Sequence, residues 1–152
     1  KGVAVDMGKA EAQKKTELTA GEKTVTLTPV SVGNPHAVIF VENMEEAPLT
    51  QLGPAIEHHR AFPDGVNVEF VQVLDDRHLR MRVWERGSGV TMACGTGACA
   101  SVMAAIAEGY CQYDEEISVR LDGGTLKIQI APDHCVQMTG PAQFVYEGDT
   151  IE

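Results

Sequence analysis

The 152-residue sequence predicts a single α+β domain in which a curved, mostly antiparallel β-sheet wraps around a central buried helix. Several segments alternate apolar and polar residues, as strands with one buried face do. Short turns containing Asp or Gly join some of these segments, which favours antiparallel hairpins. One stretch, from Gly95 to Tyr110, is small or apolar nearly all round, as expected for a helix enclosed by protein on every side.

The first strand-like segments lie in the N-terminal third of the chain. Lys1–Met7 alternates apolar and polar residues until Gly8, and Thr24–Val32 alternates again. Residues 33–36, with the sequence GNPH, predict a turn, because the residue before a proline is pushed away from helical angles. The apolar run AVIFV follows and reads as a buried strand.

The remaining elements follow in order. LTQLGPAIEHHR has apolar residues at helical spacing, and Gly53-Pro54 inside it predicts a kink or a late start. VNVEFVQVL and LRMRVWE form a hairpin around the turn DDRH, and ISVRLDGGTLKIQI forms a second hairpin around its Asp-Gly-Gly. CVQMTGPAQFVYEGDTI gives one or two more strands, broken at Gly140-Pro141.

Composition excludes several classes of function. The 22 acidic and 12 basic residues give a net charge of −10, and the basic residues form no patch of the kind that nucleic-acid binding needs. No apolar run is long enough to cross a membrane, so we expect no membrane partner. The chain begins with lysine rather than methionine, which suggests a fragment or a processed product.

The four cysteines have neither zinc-finger nor C-x-x-C spacing, so we expect no metal site and no disulfide framework. Free thiols then indicate a reducing, cytoplasmic location.

The segment TMACGTGACAS, residues 91–101, predicts a loop that holds one reactive thiol. Cys94 directly precedes the buried helix, and the positive end of a helix favours a thiolate. The glycine-rich start of the helix, Gly95 to Gly97, offers N–H groups to an anion. Phosphate-loop, dinucleotide and thiol–disulfide motifs are all absent. The alternative for Cys94 is a small buried side chain, and for Cys99 that is the interpretation we prefer.

Three more polar residues are candidates for the same site. Asn34 and His36 lie in the predicted turn, where strands would hold them rigidly, although turn formation alone also explains Asn34. His36 is either a packing residue or one that tunes a nearby thiol. Asn67 begins an apolar strand, and its simpler explanation is a hydrogen bond at the strand edge.

These residues stand in four motifs: GNPHAVIF, FPDGVNVEF, RVWERGSGVTMACGTGACAS and MTGPAQFVYEG. In this order they resemble successive C-terminal motifs of the diaminopimelate epimerase family. That family belongs to a group of cofactor-independent racemases and epimerases that also includes the proline racemases. The resemblance runs over essentially the whole chain, and the block from ERG to ACGTG is highly specific.

The resemblance implies an epimerase that interconverts L,L- and meso-diaminopimelate, for lysine and peptidoglycan biosynthesis, without a cofactor or a metal. One cysteine thiolate removes the α-proton, and a second cysteine protonates the opposite face. Cys94 matches one of this pair. Gly95 and Thr96 match the residues whose backbone N–H groups hold the α-carboxylate.

The resemblance also assigns the remaining site residues. Asn34, Asn67 and Arg86 match positions that grip the distal end of the substrate. Arginine suits that task because its planar guanidinium binds a carboxylate through two parallel hydrogen bonds. Glu85 matches a residue near the reacting amino group, and His36 matches one near the thiols.

The family's chains are roughly twice this length, as two similar α+β halves require. The resemblance therefore implies that residues 1–152 form the C-terminal half, and that an N-terminal half supplies the second cysteine in a Cys-Gly-Asn-Gly loop. A homodimer is left open. The alternatives are a non-catalytic domain that binds an anion or a carboxylate or serves in assembly, and a related racemase acting on another amino acid.

Overall fold

The structure, a computed structural model, describes residues 2–91 and 95–141, without the side chains at positions 2, 46, 90, 91 and 141. Its helices are α1 (Leu49–Glu57) and α2 (Gly95–Ala107), and a short 3-10 turn covers Met44–Glu46. Its strands are β1 (Gly2–Lys9), β2 (Glu11–Ala12), β3 (Thr16–Ala20), β4 (Lys23–Ser31), β5 (Pro35–Phe40), β6 (Asn67–Asp75), β7 (His78–Glu85), β8 (Gly89–Thr91), β9 (Ile117–Leu121), β10 (Gly124–Ile130) and β11 (Cys135–Pro141). Within the described ranges no helix is long and apolar enough to cross a membrane.

The strands form one sheet in the order β1-β11-β10-β9-β7-β6-β5-β4-β2, with β3 paired to β4 and β8 to β7. Pairing is antiparallel except between β5 and β6 and between β7 and β9. The two ends of this order, β1 and β2, are separated in sequence only by Ala10, whose N–H donates to the His134 carbonyl at 3.1 Å. A single stretch of chain thus joins both ends of the sheet and curves it into a nearly closed barrel.

Helix α2 fills the inside of this barrel. It packs against β2, β4 to β7 and β9 to β11, and every residue from Gly97 to Ala105 is buried. The small side chains of the sequence GTGACASVMAAIA explain why the sheet can approach the helix from all sides. Ser101, a buried polar residue of the helix, donates from its hydroxyl to the Gly97 carbonyl at 2.8 Å. The predicted curved sheet around an enclosed helix is confirmed, with the helix ending at Ala107.

Helix α1 covers the opposite face of the sheet. Its buried Leu49, Leu52 and Ile56 form a second apolar cluster with Phe70 of β6 and with the half-buried Trp84 of β7.

Of the kink or late start predicted from Gly53-Pro54, the late start is wrong, because the helix begins at Leu49 and continues through Pro54. The carbonyl that Pro54 leaves without a helical donor belongs to Thr50, an exposed residue.

Two further boundaries differ from the predictions. Gly8 does not end the first strand, since β1 continues to Lys9 through a bulge at which Gly8 adopts a φ of 81°. The predicted turn at residues 33–36 lies one to two residues earlier, because the connection covers residues 32–34 and β5 already begins at Pro35. His36 is therefore a strand residue paired with Asn67, and not a turn residue.

Candidate functional site

The predicted site residues cluster on the inner face of the barrel, at the rim beside the start of α2. Side chains alternate between the two faces of a strand. His36 of β5, Asn67 and Glu69 of β6 and Glu85 of β7 therefore share a face with the inward-pointing valines of the same strands. The strand register places His36 beside Asn67, and Glu69 beside Val83 of β7.

A row of hydrogen bonds runs from the interior to the rim through four side chains: Glu69, His36, Asn34 and Thr96. Glu69 Oε2 lies 2.6 Å from Nδ1 of His36, and both side chains have no exposed surface. The other ring nitrogen of His36, Nε2, lies 3.1 Å from Oδ1 of Asn34. The amide nitrogen of Asn34 donates in turn to Oγ1 of Thr96, in the first turn of α2, at 3.4 Å. Asn34 and Thr96 are half-buried, so this row of hydrogen bonds ends where a ligand has access.

The electrostatics of this cluster favour a protonated group at its buried end. Burial raises the pKa of Glu69, and the negative charge of Glu85 adds to the increase. The charge of His36 and its hydrogen bond act in the opposite direction without cancelling these effects. The pair of Glu69 and His36 therefore holds on to a proton more strongly than an exposed carboxylate would.

The side chain of Asn67 makes hydrogen bonds to the backbone of two other segments of the site. Its Nδ2 donates to the Pro35 carbonyl at 3.1 Å, and its Oδ1 accepts from the backbone N–H of Arg86 at 2.7 Å. The side chain thus joins the start of β5 to the end of β7, much as the predicted hydrogen bond at the strand edge would. Arg86 itself is exposed, and its Nη1 donates to the Asp64 carbonyl at 3.3 Å.

A buried carboxylate, Glu57, fixes the turn that carries Glu85 and Arg86. Its Oε1 accepts from Trp84 Nε1 at 2.8 Å, and its Oε2 accepts from the backbone N–H of Gly87 at 2.9 Å. Burial by itself would raise the pKa of Glu57, but these two hydrogen bonds and the charges of His58 and Arg86 together lower it. Glu57 is therefore ionised at neutral pH and accepts from donors on both sides of Glu85 and Arg86.

The structure brings together the predicted residues Asn34, His36 and Thr96 through hydrogen bonds, and likewise Asn67 with Arg86. Gly95 begins α2, and a side chain there would press against the sulfur of Met138.

Cys94, the predicted thiol, lies outside the described residues, so its position in the cluster stays a prediction. The other three cysteines are free, with Cys99 and Cys111 buried and Cys135 exposed. Burial raises the pKa of Cys99 to about 12 and that of Cys111 to about 11. The pKa of the exposed Cys135 is raised by partial desolvation and by its hydrogen bond to the Asp133 carboxylate.

Sequence reasoning missed Glu69 and Glu57. The signal for Glu69 was available: it is a charged residue two positions after Asn67, and the next residues on the same inward face, Val71 and Val73, are apolar. The signal for Glu57 was its helical spacing from Gly53 and Leu49 on the buried face of α1. Within the described ranges, no three His, Cys, Asp or Glu side chains are arranged to hold a metal ion.

Comparison with known proteins gives this site its context. The family model for diaminopimelate epimerase matches residues 28–145, which is most of the chain. The chain belongs to the diaminopimelate epimerase family. It is 56% identical over 121 residues to the diaminopimelate epimerase of Bacillus cytotoxicus, covering 80% of this chain and 42% of that protein. It is 58% identical over 125 residues to the diaminopimelate epimerase of Azotobacter vinelandii, covering 82% and 45%. The chain thus spans less than half the length of these relatives.

Solved structures show the same fold in proteins of low sequence identity. A probable proline racemase from Agrobacterium radiobacter, solved with bound carbonate, superposes with a TM-score of 0.72 at 16% identity, over 91% of this chain and 50% of that one. A hydroxyproline epimerase from Agrobacterium vitis, solved with bound trans-4-hydroxy-L-proline, gives 0.69 at 18% identity, over 91% and 49%. The barrel around α2 is therefore shared beyond the diaminopimelate epimerase family.

Proposed function

We propose that this chain is the C-terminal half of a cofactor-independent epimerase that interconverts L,L- and meso-diaminopimelate in the cytoplasm. The observation that carries the proposal is the contact between Asn34 and Thr96, which joins the GNPH segment to the helix that directly follows Cys94. It brings a strand-end amide and a helix N-terminus, both donors to a carboxylate, to one accessible place. Family membership and the shared fold support the same reaction class.

In the proposed mechanism one proton is removed from the substrate and another is delivered to it, with no change in oxidation state. One thiolate takes the α-proton of the substrate, the Cα–H bond breaks, and a thiol on the opposite face delivers a proton to Cα. Cys94 is one of the two groups, and the other comes from an N-terminal half that closes over this site. The relatives' greater length supports the existence of such a half.

The chain's own residues would stabilise the charge that develops during this step. Backbone N–H groups at Gly95 and Thr96, at the positive end of α2, would hold the α-carboxylate and stabilise the carbanion's delocalised charge. Glu85 would face the amino group of the substrate. His36 would lie near the thiols, and its contact with Glu69 holds the ring in place.

The distal end of the substrate would be bound by Arg86 together with Asn34 and Asn67. Diaminopimelate carries a second amino-acid group there, and Arg86 is an exposed residue that could bind its carboxylate. Asn67 would act partly through the backbone of Arg86, which it anchors. A substrate without a distal carboxylate would lose the interaction with Arg86.

The test uses the full-length enzyme, with the N-terminal half present. We expect conversion of L,L- to meso-diaminopimelate and exchange of the α-proton in heavy water, and we expect Cys94→Ala and Cys94→Ser to abolish conversion. The matched control is Cys135→Ala, which removes an exposed thiol outside the cluster and should leave the rate unchanged.

Full activity of Cys94→Ala would contradict the mechanism. Binding of diaminopimelate with no α-proton exchange would favour a non-catalytic carboxylate-binding domain instead. Faster turnover of a different amino acid in a substrate panel would favour a related racemase.

A further inference from the structure

Glu69 belongs to none of the predicted catalytic or binding positions, yet it is the most deeply placed charged group of the site. Its side chain and that of His36 have no exposed surface, and the distance from Oε2 to Nδ1 is 2.6 Å. Among the described residues, Oε1 of Glu69 has no hydrogen-bond partner. A buried carboxylate with one oxygen unsatisfied costs free energy, so a role that retains it is expected.

The contacts of His36 determine where its hydrogens lie. Nε2 faces Oδ1 of Asn34, which only accepts, so Nε2 must carry a hydrogen. The short contact between Nδ1 and Glu69 Oε2 also requires a hydrogen between the two atoms. That hydrogen belongs either to a neutral carboxylic acid or to an imidazolium ring, because a neutral ring with its hydrogen on Nδ1 would leave Nε2 with no hydrogen to donate to Oδ1 of Asn34. In both cases Nε2 is a donor, and one proton is shared inside the pair.

The hydrogen on Nε2 holds the Asn34 amide in the orientation that the structure shows. With Nε2–H donating to Oδ1, the amide nitrogen of Asn34 must point away from His36, and it lies 3.4 Å from Oγ1 of Thr96 at the rim. The reversed amide would place its NH₂ group against the Nε2–H, two donors facing each other. Asn34 therefore presents hydrogen-bond donors, and not an acceptor, at the start of α2.

We propose that Glu69 is a positioning residue, which acts through the ring of His36 to hold the amide of Asn34 with its donor side toward the start of α2. The ligand assigned to that donor, a substrate carboxylate, rests on the proposed function, whereas the orientation itself rests on the contacts alone. Burial and the charge of Glu85, which raise the pKa of Glu69, help the pair to keep its shared proton.

The first test compares two variants of the full-length enzyme. In Glu69→Met the new side chain has nearly the same length but offers Nδ1 of His36 no hydrogen-bond partner. The ring therefore loses the contact that sets its rotation and the positions of its hydrogens. Glu69→Gln can still donate to Nδ1. We expect Glu69→Met to raise KM for diaminopimelate about tenfold with a smaller fall in kcat, corresponding to the loss of one oriented hydrogen bond. Glu69→Gln should remain within about threefold of wild type.

A double-mutant cycle distinguishes positioning from simple packing. If Glu69 acts through Asn34, then adding Asn34→Ala to Glu69→Met should raise KM by less than about twofold more. Multiplication of the two single effects, or an equal loss in Glu69→Gln and Glu69→Met, would overturn the proposal.

A second test needs no turnover. With ¹⁵N-labelled histidine in the full-length protein, the shared proton between Nδ1 and Oε2 should give a resonance far downfield of the amide region in wild type and none in Glu69→Met. The side-chain amide signals of Asn34, identified by their loss in Asn34→Ala, should shift in Glu69→Met and stay in place in Glu69→Gln.

Unmoved Asn34 signals in Glu69→Met, or no downfield resonance in wild type, would refute positioning even in an active enzyme. An inactive wild type with both signals as expected would refute the proposed function and leave the positioning role supported.

Discussion

The outcome of Glu57→Gln depends directly on the two hydrogen bonds that the Glu57 carboxylate accepts. The carboxylate is buried, with 6% of the residue exposed, and each of its oxygens accepts from one donor: Trp84 Nε1 on one side and the backbone N–H of Gly87 on the other. Glutamine has the same shape, but one of its two terminal atoms is an NH₂ group. Whichever way the amide turns, a donor then faces a donor.

The size of the effect follows from these two contacts. One charge-assisted hydrogen bond, of the kind that contributes about 1.5–3 kcal/mol, is lost, and a buried donor is left unsatisfied. No cavity is created, since the side chains have equal size. We therefore expect the free energy of unfolding to fall by about 2–4 kcal/mol. Because Gly87 follows Arg86 directly, we also expect a higher KM for diaminopimelate in the full-length enzyme.

The measurement is urea unfolding of the full-length protein, with Glu116→Gln as the matched control. That control makes the same chemical change on a side chain that is 56% exposed and whose ion pair with Lys127 spans 3.8 Å. It should change the free energy of unfolding by less than about 0.5 kcal/mol. A loss in Glu57→Gln below about 1 kcal/mol, or no larger than in the control, would refute the assignment of both hydrogen bonds.

The pH dependence of the same difference gives an independent check. The pKa of Glu57 in the folded protein lies below its ordinary value of 4.5, so the unfolded chain takes up a proton first as the pH falls. The stabilisation is therefore fully present above that ordinary value and is lost as the pH falls through the folded value. The gap in unfolding free energy between wild type and Glu57→Gln should be full near pH 6 and shrink below about pH 4.5. A gap that stays constant would contradict the lowered pKa.

Two further predictions concern Arg86 and the thiols. Gly65 has a φ of 83°, and a Cβ there would lie 2.8 Å from Cδ of Arg86, so Gly65→Ala should raise KM for diaminopimelate. The control is Gly109→Ala, at a φ of 86° with open space around it, which should cause similar backbone strain without raising KM. Equal KM values for the two variants would contradict this packing. At about pH 7.5, peptide mapping after brief alkylation should find Cys99 and Cys111 unmodified, because burial keeps both as thiols; rapid modification of either would show that the barrel opens.

The sequence predicted the elements whose residue types follow a regular pattern within one segment. Polar and apolar residue types alternate along parts of β6 and β7, although only β7 alternates in burial and the first five residues of β6 are all buried. Helix α2 is recognisable because a helix without a polar face must be enclosed. Strand β3 was missed because its sequence, TELTA, buries little: only Ala20 is buried and Leu18 is half-buried. Strands β2 and β8 have two and three residues, too few for any alternation to register.

Site residues were predictable where a motif or a turn singled them out, as with Asn34 and Arg86. Glu69 and Glu57 could not be assigned a role in the same way, because what each carboxylate does depends on partners far away in sequence. Glu69 contacts His36, 33 positions earlier, and Glu57 contacts Gly87, 30 positions later. Only the register between β5 and β6, and the packing of α1 on β7, bring these groups together.

The joining of β1 and β2 through Ala10 has a consequence for how the protein folds. Strand β1 pairs with β11, the last strand in the described part of the chain, so the barrel cannot close around α2 until β11 is available. During synthesis, β1 is made long before its partner β11, and pairings between such distant segments form slowly. Until then β1 and one edge of β10 are unpaired, and the apolar surface of α2 is incompletely covered. The interval before closure is therefore when this chain is most prone to aggregate, and weakening β1 would lengthen it.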